Sequence, residues 1–275
     1  RKMKRLKMIL CAVLVVCAAS GVCRAAGDGW TMNRVKGNGR ITTRTVKVGR
    51  YDAIEASRGV KVVVCEGVRG AEIRTDENLQ QYVQVSVSGG ELEVTISSRI
   101  SVEPTDGVVV RVADSGCIER LEASSAGKIV IDKPLSCRSL ELEASSAGKI
   151  RVDARVGECE IDASSAAQIA AQIEGGRVEV SASSASTVTL QGAVSEAELD
   201  ASSAAKIRAG KLKVRTCEAE ASSGADITVY CVRELDSRTG SGGSVRYYGN
   251  PPIVRSHDTS GGSTAGAGGR NQRVR

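Results

Sequence analysis

The sequence repeats an acidic pattern whose carboxylates could do chemistry together. An acidic residue stands immediately before most copies of an Ala-Ser-Ser segment, and another stands two residues earlier in most copies. The candidate binding residues are Glu141, Glu143, Glu160, Asp162 and Asp200. Adjacent carboxylates raise each other's pKa, and carboxylate pairs cleave glycosidic bonds in polysaccharide-degrading enzymes. Their oxygens are also the ligands that Ca²⁺ prefers.

Other features of the sequence argue against catalysis by these acids. No aromatic residue that could stack on a sugar lies between Tyr82 and Tyr230. The short, regular spacing of the copies leaves no room for the projecting loops that build a deep cleft. We therefore predict a solvated acidic surface with no catalytic residue, no metal and no cofactor. A carbohydrate-active enzyme or a polysaccharide-binding protein that uses the same acids is the alternative.

The repeated serines and lysines give weaker signals of chemistry. A serine nucleophile needs a base such as histidine, and the only histidine, His257, lies beyond the Ala-Ser-Ser copies. Lysine occupies one equivalent position in only half of the copies, as Lys128, Lys149 and Lys206. We interpret the serines as corner residues and the lysines as solubilising.

The Ala-Ser-Ser segments mark an internal repeat. They begin every 19 to 21 residues, at Ala123, Ala144, Ala163, Ala182, Ala201 and Ala221. A fixed period near twenty residues is typical of a solenoid, in which each coil stacks on the previous one. Apolar and polar residues alternate on both sides of each segment, as in strands with one buried face. Each coil is thus predicted to be strand, small-residue corner and strand.

Equivalent apolar positions predict the columns of a narrow core. Six residues after the first Ala of each copy stand Ile129, Ile150, Ile169, Val188, Ile207 and Ile227. One coil buries too little apolar area to fold alone, so it needs neighbours. Parallel crossover connections are nearly always right-handed. We predict an all-β, single-domain, right-handed parallel β-helix (β-solenoid) with rungs of about 19–21 residues.

The N-terminal segment predicts export. It begins with a stretch rich in Lys and Arg, and an apolar run follows over residues 8–19. This pattern is typical of a secretory signal peptide, here 1–25, and its apolar run is too short for a membrane span. Lipid attachment at Cys17 or Cys23 is less favoured, because valine precedes each.

The remaining boundaries follow from the pattern of the repeats. We predict a linker over 26–36, the solenoid over 37–263 and a disordered tail over 264–275. The mature chain has no predicted transmembrane span. The predicted location is the periplasm, the outer-membrane surface or the outside of the cell.

Charge and cysteine content narrow the range of possible binding partners. The formal net charge of +6 falls to zero without the six positive charges of residues 1–26, which argues against nucleic acid. Cys117 and Cys137 are the one cysteine pair predicted on adjacent rungs in near-equal register, and a disulfide between them is left open. No cysteine spacing matches a zinc site. The partner is unknown, with a surface glycan or a protein as the candidates.

The combined pattern resembles the head GIN domain of putative auto-transporter adhesins, over about residues 37–263. The matching segments, besides the Ala-Ser-Ser repeats, are 51–54, 58–64, 76–79, 89–94, 247–251 and 260–263. The resemblance implies a β-helical fold, export and a surface or envelope role, and it supplies no catalytic residues. We expect a non-enzymatic, exported β-solenoid that acts as an adhesin or a cell-envelope interaction module of unknown ligand.

Overall fold

The computed structural model describes residues 33–116 and 118–267. The predicted signal peptide, 1–25, lies outside the described residues, as do most of the predicted linker and the predicted tail from 268 onward. Cys117 lies outside them too, so the question of its pairing with Cys137 stays open. All described residues belong to one compact unit.

The described chain is built almost wholly from strands. Its N-terminal part contains β1 (Asn33–Lys36), β2 (Ile41–Val46), β3 (Ala53–Ala56), β4 (Lys61–Cys65), β5 (Ala71–Asp76), a 3₁₀ helix (Glu77–Tyr82), β6 (Val83–Ser88), β7 (Glu91–Ile96), β8 (Ile100–Glu103) and β9 (Val109–Ala113). The repeats form β10 (Arg120–Ala123), β11 (Lys128–Ile131), β12 (Leu135–Ala144), β13 (Lys149–Ala163), β14 (Gln168–Ala182), β15 (Thr187–Ala201), β16 (Lys206–Ala221), β17 (Asp226–Thr239), β18 (Ser244–Tyr248), β19 (Ile253–Asp258) and β20 (Ser263–Gly266).

Equivalent positions of successive coils lie in register, which confirms the predicted β-solenoid of stacked parallel coils. About eight coils stack in this way. Ile150 lies opposite Ile169, Ile169 opposite Val188, and Val188 opposite Ile207. Each of these side chains is at most 2% exposed. The alternation of period two turns them inward, and the repeat length places them above one another. The handedness of the coil stays a prediction.

A tight turn begins at the first serine of each Ala-Ser-Ser segment. In one coil Ser165 and Ala166 have φ of 51° and 61°, and the amide of Ala167 donates to the carbonyl of Ser164 at 3.0 Å. Two successive residues in the left-handed region define a type I′ turn. The amide of Ala166 also donates to the carbonyl of Ser184 in the next coil at 3.0 Å. The small corner residues thus serve a strained turn as well as close stacking.

The N-terminal end departs from parallel stacking. β2 pairs with β5, and β6 with β7, in antiparallel fashion. The buried carboxylate of Asp76 accepts hydrogen bonds from the amides of Gly39 and Thr105, each at 2.8 Å. The end of the segment predicted as a linker forms a strand, since β1 pairs with β8. Together these elements cover the first coil, which would otherwise expose open strand edges.

The C-terminal end closes with polar side chains. β20 continues past the predicted end of the solenoid at residue 263, into the segment predicted as a disordered tail. The Thr264 hydroxyl donates to Asp258 at 2.8 Å, and the Thr239 hydroxyl donates to the same carboxylate at 2.6 Å. Thr264 also shares a hydrogen bond with Ser237 at 3.0 Å. These bonds hold the start of the predicted tail in a strand.

Candidate functional site

The candidate acidic residues lie on one outward side of the solenoid, on the strand segments that precede the turns. We call this surface the acidic face, and it carries two rows. The turn row, next to the turns, consists of Glu55, Glu122, Glu143, Asp162, Ser181, Asp200 and Glu220. The second row consists of Arg120, Glu141, Glu160, Glu179, Glu198 and Glu218.

The structure brings four of the five predicted candidates together. Glu143 lies opposite Asp162, and Glu141 lies opposite Glu160, on β12 and β13. Adjacent strands are about 4.8 Å apart, so the four carboxylates are neighbours. Asp200 lies two coils further along the turn row, and a serine separates it from the other acids. The candidates therefore form part of a continuous row and not one closed cluster.

A shallow groove runs between the turn row and the turns, with a volume of about 490 Å³. Carboxylates of the turn row and serine hydroxyls of successive coils line it, namely Glu143, Asp162, Asp200, Glu220, Ser164, Ser181, Ser183, Ser202 and Ser222. Carboxylates accept hydrogen bonds, and hydroxyls both donate and accept them. The groove can therefore hold an extended polar polymer by repeated, equivalent contacts.

The serines of the groove are candidate binding residues that sequence reasoning missed. Sequence analysis assigned them to the corner alone, because small residues suffice to explain a tight turn. The available signal was their position directly after each acidic residue. Since the groove follows the turns, the first serine of each pair lies beside the turn row.

Four carboxyl groups of the turn row have raised pKa values, those of Glu55, Glu122, Asp162 and Asp200. Burial is the first cause for Asp162, and the charge of Glu143 on the adjacent strand is the second. The pKa of Asp200 is raised first by burial and then by the charge of Glu220. The pKa of Glu122 is raised first by burial and then by the charge of Glu143. Ionised neighbours repel one another here, so a cationic group placed in the groove would relieve that repulsion.

Two arginines divide the acidic face into segments. The guanidinium of Arg120 contacts Glu122 at 2.7 Å, and that of Arg177 contacts Glu198 at 2.5 Å. Between these arginines, the described residues include no ion-pair partner for Asp162. Asp200 and Glu220 likewise form no ion pair in the described part of the chain, whereas Arg120 reaches Glu143 at 3.7 Å. The groove beyond Glu143 therefore keeps most of its negative charge.

The described residues contain no group of three or more His, Cys, Asp or Glu side chains that could hold a metal ion. His257 lies in the column of the turn row, two strands beyond Glu220, with Arg238 between them. This placement puts it at the C-terminal end and not beside the serines of the groove. Among the described residues, no helix is long and apolar enough to cross a membrane. The site therefore offers hydrogen-bond acceptors, hydroxyls and negative charge.

The fold and this surface define a class of protein, a repetitive β-solenoid with a long polar face and a shallow groove. The chain belongs to the family described as "Putative auto-transporter adhesin, head GIN domain", which matches residues 50–172 and 155–251. The resemblance stated from the sequence is confirmed. A comparison with curated proteins finds no match.

Crystal structures of similar proteins share the fold. A putative lipid binding protein from Parabacteroides distasonis ATCC 8503 superposes with a TM-score of 0.77 at 23% identity, over 86% of this chain and 100% of that chain. A putative adhesin from Parabacteroides merdae ATCC 43184 superposes with a TM-score of 0.76 at 21% identity, over 86% of this chain and 99% of that chain. A putative adhesin from Bacteroides fragilis NCTC 9343 superposes with a TM-score of 0.62 at 19% identity, over 84% of this chain and 99% of that chain. At such identities the likeness establishes the fold alone.

Proposed function

We propose that this protein is an exported, non-enzymatic adhesion module whose acidic face binds a surface glycan or protein. The observation that carries the proposal is repetition, because equivalent carboxylates recur in coil after coil along one groove. A binding surface gains from repetition, since each weak contact adds to the next. A catalytic site instead needs one distinguished set of residues in defined roles.

The proposal includes export of the protein from the cytoplasm. The basic and apolar pattern of residues 1–25 supports it, as does membership of an adhesin family. Export would place the acidic face in the periplasm, on the outer-membrane surface or outside the cell. In each of these places it could meet glycans and proteins of a surface.

A binding experiment with two cationic polymers tests the proposal. The purified protein is immobilised, and poly-lysine and chitosan are the probes, one a polypeptide and the other a glycan. We expect binding that weakens as salt rises and that falls several-fold in the Asp162→Asn/Asp200→Asn variant. The matched control, Asp132→Asn/Asp153→Asn, removes the same charge from the bend that follows β11 and from the post-turn part of β13. It should bind as the unmodified protein does. Equal binding by both variants would overturn the proposal.

A polysaccharide-cleaving enzyme is the second candidate, and the strand spacing favours it. Adjacent strands are about 4.8 Å apart, which is close to the separation of about 5–5.5 Å between the two carboxyl groups of retaining glycosidases. The raised pKa of Asp162, caused first by burial and then by Glu143, would suit a general acid. Release of reducing sugar from a polysaccharide, lost on Glu143→Gln or Asp162→Asn, would favour this candidate over adhesion.

A further inference from the structure

The large hydrophobic residues that the described solenoid exposes are gathered at one end. They are Val232, Tyr248, Ile253 and Val254, with exposed fractions of 52%, 40%, 37% and 38%. All belong to the last coils, whereas the apolar residues of the earlier repeats face the core. A group of exposed apolar side chains at one place marks an interaction surface. We call this group the apolar corner.

The register shows how the apolar corner is assembled. Tyr248 lies opposite Tyr230 on the neighbouring strand, and Tyr230 lies opposite Lys213. Val232 follows Tyr230 by two residues on β17, so it continues the same outward side of the coil. Ile253 begins β19 around the corner of the coil, opposite Glu234 on the segment of β17 that precedes the next turn. Aromatic, aliphatic and cationic side chains therefore lie near one another on adjacent strands.

Unpaired cations surround a small depression on the same side of the solenoid. The depression has a volume of about 270 Å³, and its lining includes Lys206, Arg208, Thr228, Arg246 and also the acidic Asp226. Arg208 lies opposite Thr228, which lies opposite Arg246. Within the described part of the chain, none of the three cations forms an ion pair. A phosphate group seated at Thr228 would meet a guanidinium from each neighbouring strand, which suits its charge and its acceptor oxygens.

We propose that this end of the solenoid docks on a bilayer rich in anionic phospholipid. Tyr248 and Val232 enter the interface, where an amphipathic ring such as tyrosine is favoured. Arg208 and Arg246 bind headgroup phosphates, and each basic residue near such a surface strengthens binding. The acidic face is repelled by the same headgroups, so docking leaves its groove turned toward solvent.

A bilayer explains the combination better than a second copy of the chain does. The acidic face could pair with the cations of another copy by charge alone. Among the described residues, however, that face carries no exposed large hydrophobic side chain from β10 to β17. A second copy that bound through its acidic face would therefore leave Val232 and Tyr248 without an apolar partner. Pairing two apolar corners would instead bring the unpaired cations of both copies close together, which is unfavourable. A bilayer satisfies both the charge and the apolar area.

Vesicle flotation tests the proposal with the purified protein. Vesicles of phosphatidylglycerol and phosphatidylethanolamine are compared with vesicles of phosphatidylcholine alone, at low and high salt. We expect binding to the anionic vesicles that weakens with salt. Arg208→Glu/Arg246→Glu should lower the partition constant at least tenfold, and Val232→Ser/Tyr248→Ser several-fold. The apolar run of residues 8–19 is the same in every variant, so any vesicle binding through that run is the same too. Differences between variants therefore report on the described surface.

The matched control is Lys128→Glu/Lys149→Glu, which makes the same change of charge several coils away. It should keep most of the binding to anionic vesicles. Circular dichroism melting curves show whether each variant stays folded. Equal partition to neutral and anionic vesicles, equal loss in the control, or a dimer in sedimentation that Val232→Ser/Tyr248→Ser dissociates would each overturn the proposal.

Discussion

Serine and alanine at the turn tips hold a backbone conformation that glycine adopts more easily. Ala166 has φ of 61°, and the equivalent residue of a later coil is Gly224, with φ of 71°. A Cβ on Gly224 would meet nothing within 4 Å. The choice between alanine and glycine at this position therefore acts through the backbone and not through packing.

Replacing alanine by glycine at a turn tip should stabilise the protein. Ala166→Gly removes the strain of a left-handed alanine, and the greater entropy of glycine in the unfolded chain offsets part of the gain. We expect a rise of about 0.5–1 kcal/mol in the free energy of unfolding, measured by urea titration. Gly224→Ala is the reverse control and should lose a similar amount. A drop in stability for Ala166→Gly would mean that its Cβ packs between adjacent turns.

Asp162 makes stability depend on pH in the direction opposite to that of a salt-bridged acid. Its pKa is raised above the ordinary 3.8 by burial and then by Glu143. The folded state therefore binds the proton more tightly than the unfolded state does. This group lowers stability at neutral pH, and that penalty disappears as pH falls through the raised pKa toward 3.8.

Asp162→Asn should thus stabilise the protein at pH 7 and have little effect near pH 4. Because the side chain is solvent-accessible, screening keeps the gain at pH 7 small, about 0.5 kcal/mol. Chemical denaturation at several pH values measures it. Asp153→Asn, on the segment after the turn, serves as the control for removing a carboxylate. A gain that is the same at pH 4 and pH 7 would refute the electrostatic explanation.

At the scale of the strand, stability comes from the stacked apolar columns. Ile169 is 1% exposed and lies between Ile150 and Val188. Ile169→Ala should cost about 2–5 kcal/mol, because closely packed neighbours in a narrow core collapse only partly into the cavity. Gln168→Ala, one residue earlier and facing outward, should change stability by no more than about 0.5 kcal/mol. Similar thermal midpoints for the two variants would contradict the assignment of inward and outward positions.

The repeats made the strands of the solenoid predictable from the sequence. At the ends of the solenoid the repeat pattern is lost, so the structure there could not be predicted in the same way. Ile150 and Ile169 share a position in a periodic pattern, so their register followed from alternation and repeat length. The antiparallel β2 and the 3₁₀ helix Glu77–Tyr82 have no repeated copy to align with. At the site, the acids were found because their charge marks an outward row. The groove depends on how each turn sits against its strand, which spacing alone does not encode.

At the scale of the whole described solenoid, charge is divided between two outward sides. On β13, the segment before the turn presents Glu160 and Asp162, and the segment after the preceding turn presents Lys149 and Arg151. The same division recurs on β16, which presents Glu218 and Glu220 before the turn and Lys206 and Arg208 after the preceding one, whereas β14 and β15 carry no Lys or Arg at the positions of Lys149 and Arg151. Where the division holds, one side attracts cations and the other anions. A molecule of this kind can be oriented on a charged surface while its opposite charge stays available to a partner.

The most direct measurement is the affinity for poly-lysine of three single variants, Glu143→Gln, Asp162→Asn and Asp200→Asn. If the acidic face is one continuous binding surface, each variant should weaken binding by a similar factor, about two- to fivefold, since exposed ion pairs contribute up to about 1 kcal/mol. The factors should multiply in double variants of distant positions. Complete loss at one position with no change at the others would instead reveal a single localised site.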